Sequence, residues 1–177
     1  MRGGHSFILG GTRSGKSRLG EQMALNLSPS PAYIATARAG DAEMKKRIAE
    51  HKASRSDKFT TFEEPLDLAK AIRGAALEHD VVLVDCLTLW LSNLMFSEAG
   101  PLDKGISELL AVLEKTSTAK IILISNEVGQ GIVPDNRLAR EFRDNAGLMH
   151  QRVASVCENV VFVTAGLPLV LKGAIES

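Results

Sequence analysis

The chain has 177 residues, a length that favours one compact domain over residues 1–177. Lys plus Arg and Asp plus Glu each number 21, and only 5% of residues are aromatic. This composition excludes the basic, base-stacking pattern of nucleic-acid binders, so we expect no nucleic-acid partner. Two cysteines favour a reducing compartment, and no apolar run reaches the roughly 20 residues that span a bilayer. We therefore expect a cytoplasmic protein without a membrane span.

Apolar runs of strand length alternate with longer helical patterns along the chain. In the first half they predict a strand at 6–9, a helix at 16–27, a strand at 32–35, and helices at 41–52 and 66–78. In the second half they predict a strand at 81–84, helices at 87–96 and 106–115, a strand at 120–125, a helix at 136–156 and a final strand at 160–164. Gly147 is a candidate interruption of the last helix. This alternation predicts an α/β fold with a mainly parallel sheet flanked by helices.

The strongest motif is GGTRSGKS, which follows the first predicted strand and opens a helix. Its spacing is that of a phosphate-binding loop, in which glycines let backbone N–H groups point at phosphate oxygens. Lys16 can reach the β- and γ-phosphates, and the Ser17 hydroxyl can ligate Mg²⁺. The alternative is a glycine-rich turn without a ligand. The predicted nucleotide contacts in this loop are Gly10, Gly11, Thr12, Arg13, Ser14, Gly15, Lys16 and Ser17.

Asp85 ends the buried strand pattern VVLV, at the edge of the sheet where α/β proteins bind their ligands. A carboxylate there can hold the Mg²⁺ shell together with Ser17. The alternative is that Asp85 or Thr88 caps the following helix.

Two charged segments could have a functional role, but their sequence patterns indicate it less specifically than the phosphate-binding loop does. Arg47 and His51 are four residues apart on one face of the predicted helix at 41–52, and a neighbouring cation favours a neutral, nucleophilic imidazole. By its pattern alone this helix is more typical of a solvated surface. Arg137, Arg140 and Arg143 could either face an anionic substrate or form ion pairs on the solvent side.

The segment NEVGQGIVP also follows a buried strand, and it puts the carboxylate of Glu127 at the same edge of the sheet. Its glycines favour a loop that is mobile or closely applied to a ligand. The histidines outside the 41–52 helix show no spacing typical of a zinc site. We expect His150 to be a core or interface residue and His79 to lie at the surface, and the pattern gives His5 no role.

Seven segments in order, from GGTRSGKS through YIATA, DAEMKKRIAEHK, EEP, VDCLTLWLSNL and SNEVGQGIVP to REFRDNAG, resemble the bifunctional adenosylcobinamide kinase/adenosylcobinamide-phosphate guanylyltransferase family of cobalamin biosynthesis. The resemblance implies a P-loop NTPase with a RecA-like sheet, acting as a homotrimer. It also implies two reactions. ATP or GTP phosphorylates adenosylcobinamide, and GTP then donates GMP to adenosylcobinamide phosphate through a guanylylated histidine.

His51 occupies the position of that histidine in the family pattern, so the resemblance makes it the candidate nucleophile alongside catalytic Lys16. Mg²⁺ would be the cofactor, held by Ser17 and Asp85. The resemblance also implies further nucleotide contacts at Ala35, Thr36, Ala37, His51, Lys52, Ala53, Ser54, Glu63 and Asp85.

Two other functions fit the phosphate-binding loop. A P-loop kinase of another small molecule would transfer a γ-phosphate and form no covalent nucleotide. A nucleotide-dependent switch ATPase would need a partner surface and would leave His51 without a role.

Overall fold

The structure is a computed structural model that describes residues 4–38, 56–98 and 100–175. The predicted helix at 41–52, including His51, lies outside these residues. The described strands are β1 Ser6–Gly10, β2 Ala32–Ala35, β3 Thr60–Glu63, β4 Val81–Asp85, β5 Lys120–Asn126, β6 Asn159–Thr164 and β7 Leu167–Lys172. The described helices are α1 Lys16–Leu27, α2 Leu68–Glu78, α3 Leu87–Met95, α4 Leu102–Lys115 and α5 Arg137–Val156.

The strands form one sheet in the order β3-β2-β4-β5-β1-β6-β7. Every neighbouring pair is parallel except β6 and β7, which are antiparallel. This arrangement confirms the predicted α/β class with a mainly parallel sheet. Because β5 lies between β1 and β4, the carboxyl ends of these three strands meet at the centre of one sheet edge. The phosphate-binding loop and Asp85 both lie on that edge.

Alternate residues of the central strands point to opposite faces of the sheet, and each face has its own core. Phe7, Val84 and Leu123 point to the face covered by α2, α3, α4 and α5, where Trp90 is fully buried. Ile8 points to the other face, which α1 covers. The continuous apolar runs in the sequence follow from this two-sided burial.

Helix α1 lies close to the sheet because Gly20 has no side chain. A Cβ atom on Gly20 would come within 2.7 Å of the Ile124 Cδ1 atom and 3.2 Å of the Leu83 Cδ1 atom. The close approach fixes the amino terminus of α1 against the strand ends. That terminus carries the end of the phosphate-binding loop.

The structure corrects three predictions about the elements. The strand at 160–164 is not the last, because β7 follows it after a turn at Gly166. Strand β3 was missed because all four of its residues are exposed, so the sequence shows no buried run there. Gly147 does not interrupt α5, which continues to Val156, and the position of a Gly147 Cβ atom is open space.

Three helices begin at other residues than predicted. Helix α5 begins at Arg137 rather than 136, because Asn136 is its N-cap and its side chain accepts a hydrogen bond from the Ala139 N–H. Helix α2 begins at Leu68 rather than 66, because the Asp67 side chain accepts a hydrogen bond from the Lys70 N–H and caps it. Helix α4 begins at Leu102 rather than 106, directly after Pro101.

His5 has a structural role that its sequence position did not indicate. Its ring is buried, with Nε2 lying 2.9 Å from the carbonyl oxygen of Leu113, while Nδ1 accepts a hydrogen bond from the Ile121 N–H at 3.1 Å. The ring therefore joins the chain before β1 to the end of α4 and to β5.

Candidate active site

The phosphate-binding loop connects β1 to α1 and has the backbone that its glycines predict. Gly15, the N-cap of α1, has φ of 99°, which L side chains rarely adopt. The Ser14 N–H donates to the Gly11 carbonyl oxygen at 3.3 Å, so the loop turns tightly. The loop amides and the amino terminus of α1 thus supply the positive end of a phosphate site.

The turn between β6 and β7 supports this loop from a distant part of the chain. The Gly166 N–H donates to the Ser14 carbonyl oxygen at 2.8 Å. A Cβ atom on Gly15 would lie only 3.2 Å from the Gly166 Cα atom, so the two backbones are in close contact. Sequence reasoning gave Gly166 no role in the loop, since the contact joins residues that are far apart in the chain.

Lys16 is buried in the site, with 7% of its surface exposed. Its Nζ atom donates to the Gly11 carbonyl oxygen at 3.0 Å and keeps two further N–H donors. Burial lowers the pKa of the Lys16 ammonium, and the nearby Asp85 carboxylate acts in the opposite direction. The structure therefore brings the two predicted residues within electrostatic reach of one another.

Asp85 is oriented by a neighbouring strand. The Tyr33 hydroxyl on β2 donates to the Asp85 Oδ2 atom at 3.1 Å, and the Tyr33 ring packs edge-on against Phe59. The capping alternative for Asp85 is not observed, because α3 begins at Leu87 with no side-chain cap. The carboxylate therefore lies on the edge of the sheet with its Oδ2 atom bound to Tyr33.

The oxygen donors at this edge fit Mg²⁺. Asp85 supplies a carboxylate and Ser17 a hydroxyl, both hard ligands of the type that Mg²⁺ prefers. Among residues 4–38, 56–98 and 100–175, no three His, Cys, Asp or Glu side chains group in a way that could hold a metal ion. A cation bound here would need phosphate oxygens and water to complete its shell, as is usual for Mg²⁺ with a nucleotide.

The chain after β2 is tied firmly to the end of β4. The Thr36 hydroxyl donates to the Cys86 carbonyl oxygen at 2.7 Å and accepts from the Cys86 N–H at 2.9 Å. Ala35 and Ala37 flank this buried threonine, and Glu63 ends the adjacent strand β3. The predicted contacts at Ala35, Thr36, Ala37 and Glu63 therefore lie on the same sheet edge as Asp85. His51, Lys52, Ala53 and Ser54 lie outside the described residues.

Asn126 ends β5 between the phosphate-binding loop and Asp85. It is the first residue of the NEVGQGIVP segment, where no role was predicted for its side chain. Its Nδ2 atom donates to the Thr88 hydroxyl at 3.0 Å. Cys86 lies beside them, and burial, with Asp85 adding to it, raises the pKa of its thiol to about 11. The thiol stays protonated at neutral pH, so it offers no thiolate nucleophile to the site.

The loop at residues 127–135, between β5 and α5, is named the Glu127 loop. The carboxylate of Glu127 holds its first turn. Glu127 Oε1 accepts from the Gly129 N–H at 2.7 Å, and Oε2 accepts from the Gln130 N–H at 3.1 Å. The Glu127 N–H in turn donates to the Gly10 carbonyl oxygen at 3.0 Å. The loop thus begins in direct contact with the phosphate-binding loop.

The three arginines at the start of α5 make different contacts. Arg137 forms an exposed ion pair with Glu141 at 2.7 Å. Of the two predicted roles, Arg137 therefore has the ion pair on the solvent side. Arg140 donates from Nη1 to the carbonyl oxygens of Pro134 and Asp135, and so holds the end of the Glu127 loop. Arg143 has a buried Nη1 atom with no hydrogen-bond partner among the described residues.

His150 is a core residue, as its pattern predicted. Its Nε2 atom lies 2.8 Å from the Ser125 hydroxyl, and its ring packs against Phe7 with centroids 5.7 Å apart. Burial lowers the pKa of His150 to about 4, and the Glu127 carboxylate opposes the shift. The imidazole is therefore neutral in the folded protein at physiological pH.

This shift predicts a pH dependence of stability. The unfolded chain protonates His150 near its ordinary pKa of 6.5, while the folded chain resists protonation until about pH 4. Because the unfolded state binds more protons in this window, the free energy of unfolding falls as the pH falls, by up to about 3 kcal/mol from this residue. We expect urea unfolding of the His150→Asn variant to lack this part of the acid destabilisation. An unchanged pH dependence in the variant would contradict the assignment.

No helix within the described ranges combines the length and apolar character needed to traverse a bilayer. Both cysteines, Cys86 and Cys157, are buried and free.

The chain is similar to known proteins over nearly its whole length. A family model described as cobinamide kinase / cobinamide phosphate guanyltransferase matches residues 6–171. The bifunctional adenosylcobalamin biosynthesis protein CobP of Pseudomonas aeruginosa is 49% identical over 167 residues, covering 94% of this chain and 96% of that protein. CobU of Salmonella typhimurium, with the same descriptive name, is 37% identical over 94% of this chain and 98% of its own length.

Solved structures share the fold at low sequence identity. An ATPase from the type III secretion system of pathogenic bacteria superposes with a TM-score of 0.57 at 15% identity, over 91% of this chain and 51% of that chain. The ATPase EscN of enteropathogenic E. coli gives 0.57 at 14% identity, over 93% of this chain and 43% of that chain. The chain thus spans about half the length of these ATPases, and the likeness shows the fold alone.

Proposed function

The chain belongs to the cobinamide kinase / cobinamide phosphate guanyltransferase family, and we propose that it uses one nucleotide-binding edge for both reactions named there. The family match and the curated relatives confirm the predicted enzyme class, kinase and guanylyltransferase, and its place in cobalamin biosynthesis. The observation that carries the proposal is the shared edge itself, where the phosphate-binding loop, Lys16 and Asp85 meet.

In the first reaction the substrates are adenosylcobinamide and ATP or GTP. The aminopropanol hydroxyl oxygen of the corrinoid attacks the γ-phosphorus, the bond to the β–γ bridging oxygen breaks, and the nucleoside diphosphate leaves. The hydroxyl proton is released. Lys16 and the loop amides bind the phosphate oxygens and stabilise the charge that builds up on them. Bound Mg²⁺, held by Ser17 and Asp85, would neutralise further phosphate charge.

In the second reaction a neutral His51 nitrogen attacks the α-phosphorus of GTP. A P–N bond forms, the α–β phosphoanhydride bond breaks, and pyrophosphate leaves. A phosphate oxygen of adenosylcobinamide phosphate then attacks the same phosphorus, which breaks the P–N bond and yields adenosylcobinamide-GDP. Covalent catalysis of this kind splits one difficult displacement into two easier ones.

We also propose a domain organisation, a cellular location and an oligomeric state for the enzyme. Residues 1–177 would work as a single catalytic domain, in the cytoplasm, and assemble as a homotrimer. No nucleic acid takes part. The two free, buried cysteines support a reducing compartment, and the family resemblance supports the trimer.

Product analysis tests the proposed function. Purified protein is incubated with adenosylcobinamide, Mg²⁺ and GTP labelled at the α- or γ-phosphate, and the corrinoid products are separated. We expect the γ-label in adenosylcobinamide phosphate and both labels in adenosylcobinamide-GDP, with release of pyrophosphate.

Two other outcomes would favour the rival functions. A γ-label on the corrinoid without any α-label would indicate a kinase alone. Hydrolysis of GTP that is indifferent to the corrinoid would indicate a switch ATPase.

A further inference from the structure

Arg143, on α5, has a buried nitrogen atom without a hydrogen-bond acceptor in the described part of the chain. This atom is Nη1 of the guanidinium, a group that stays charged at any physiological pH and can only donate. A buried donor without a partner is costly, and in native proteins it marks a site of strain, of catalysis or of a bound ion or water. An anion is the acceptor that suits a buried guanidinium best.

The acidic side chains near Arg143 are not its partners. The Glu141 carboxylate pairs with Arg137 at 2.7 Å. The two carboxylate oxygens of Glu127 accept from backbone N–H groups of the Glu127 loop. Asp144 directly follows Arg143, and adjacent residues of a helix do not face each other. These carboxylates leave the Arg143 Nη1 atom for another acceptor.

The direction of α5 places Arg143 near one edge of the sheet. Helix α5 begins after the Glu127 loop, at the carboxyl edge, and leads into the amino end of β6. On this helix the His150 ring packs against Phe7 of β1, with centroids 5.7 Å apart. Arg143 precedes His150 by seven residues, so both side chains lie on the same side of α5, with Arg143 roughly 10 Å nearer the carboxyl edge.

A similar distance along β1 leads from Phe7 to the phosphate-binding loop. Gly10 follows Phe7 by three residues, which is again roughly 10 Å in a strand. Helical side chains tilt toward the amino terminus of their helix, which for α5 is the carboxyl edge of the sheet. Arg143 therefore lies level with the start of the phosphate-binding loop. Because α1 covers the opposite face of the sheet, Arg143 and α1 flank this edge from two sides.

We propose that the Arg143 guanidinium binds a phosphate group of a substrate at this edge, from the side opposite α1. This inference rests on the proposed function, in which two substrates bring such a group: the γ-phosphate of the nucleoside triphosphate and the phosphate of adenosylcobinamide phosphate. The oxygens of either group can accept from the Nη1 N–H, and the planar guanidinium suits two parallel hydrogen bonds to a phosphate. Arg143 thus takes the substrate-facing role, whereas Arg137 and Arg140 bind parts of the chain itself.

Equilibrium binding to the Arg143→Met variant tests this proposal, because methionine removes the charge and every donor. One pair of probes is α,β-methylene-GTP and α,β-methylene-GDP, which cannot transfer GMP to the protein and differ by the γ-phosphate. The other pair is adenosylcobinamide phosphate and adenosylcobinamide. Calorimetry gives each dissociation constant, and the ratio within a pair isolates the contribution of the phosphate group.

We expect the variant to lose about tenfold to a hundredfold of the preference for the phosphorylated member of at least one pair, the effect of losing a hydrogen bond to a charged group. A loss in the first pair identifies the γ-phosphate as the ligand, and a loss in the second pair identifies the corrinoid phosphate. Arg137→Met is the matched control on the same helix, since Arg137 forms an exposed ion pair, and it should keep both ratios.

Urea unfolding distinguishes this role from a structural one. Removing a buried donor that has no partner should leave the free energy of unfolding unchanged or raise it. A marked loss of stability, with all four probes weakened equally, would indicate a structural role and overturn the proposal. Should Arg143→Met fail to fold, Arg143→Gln also removes the charge while keeping a polar side chain, and its two ratios decide in the same way.

The outcomes also separate this proposal from the proposed function. If the wild-type protein binds neither α,β-methylene-GTP nor adenosylcobinamide phosphate, the proposed function is wrong and the role of Arg143 is overturned with it. If the wild-type protein binds them and both ratios are the same in Arg143→Met, only the role of Arg143 is overturned.

Discussion

Replacing Lys16 with methionine should lower both activities by about a hundredfold to a thousandfold, the range seen when one preorganised charge-stabilising donor is removed. Methionine retains most of the side-chain volume and removes the ammonium. The loop would then lack its fixed cation at the β- and γ-phosphates, and Asp85 would lose the positive charge beside it. Steady-state assays of corrinoid phosphorylation and of GMP transfer measure the two losses.

Lys104→Met is the matched control, because Lys104 is an exposed residue of α4 that forms a surface ion pair with Glu108. Its variant should keep both activities, since exposed ion pairs contribute little to stability. Near-normal phosphorylation by the Lys16→Met variant would contradict the assignment of the phosphate-binding loop.

His51→Ala should abolish attachment of GMP to the protein and lower GMP transfer to the corrinoid by about a thousandfold or more, as the loss of a covalent nucleophile does in other enzymes. The kinase activity should remain, because the predicted γ-phosphate site consists of residues 10–17 and Asp85 and does not include His51. Incubation with α-labelled GTP, followed by acid and alkali treatment, detects the adduct as a label that is acid-labile and alkali-stable.

His79→Ala is the control for the histidine substitution. His79 follows α2, and its Nδ1 atom lies 2.9 Å from the Ser30 carbonyl oxygen, away from the strand ends that carry the site. This variant should label as the wild-type protein does. A labelled His51→Ala variant would remove His51 from the mechanism.

The phosphate-binding loop was predictable because its chemistry is local. Eight consecutive residues carry the glycines, the lysine and the serine, and the structure places them between β1 and α1 as expected. The buried strands β4 and β5 were equally visible, since burial on both faces requires a continuous apolar run. Asp85 could be placed at the sheet edge because it directly follows such a run.

Other parts of the site depend on contacts between distant residues, which no local pattern encodes. Tyr33 reaches Asp85 across two neighbouring strands, and Asn93 reaches loops after two different strands. Gly166 supports the phosphate-binding loop from the far end of the chain. Strands β3 and β7 were missed because all of their residues are exposed, so neither has the buried pattern of a central strand.

The assignment of His51 as the nucleophile depends on the family resemblance and not on the local sequence pattern. The charged run at 41–52 by itself is more typical of a solvated helix, and only the match to the family pattern makes His51 a nucleophile. Because these residues lie outside the described part of the structure, the role of His51 stays a prediction that rests on sequence.

A single-turnover chase tests the covalent mechanism most directly. The protein is first incubated with α-labelled GTP and Mg²⁺, freed of unbound nucleotide, and digested for mass spectrometry, or mixed with adenosylcobinamide phosphate. We predict GMP on the peptide that contains His51, and passage of that label into adenosylcobinamide-GDP at least as fast as the enzyme turns over. Formation of adenosylcobinamide-GDP while His51 remains unmodified, or an adduct that never enters the product, would contradict it.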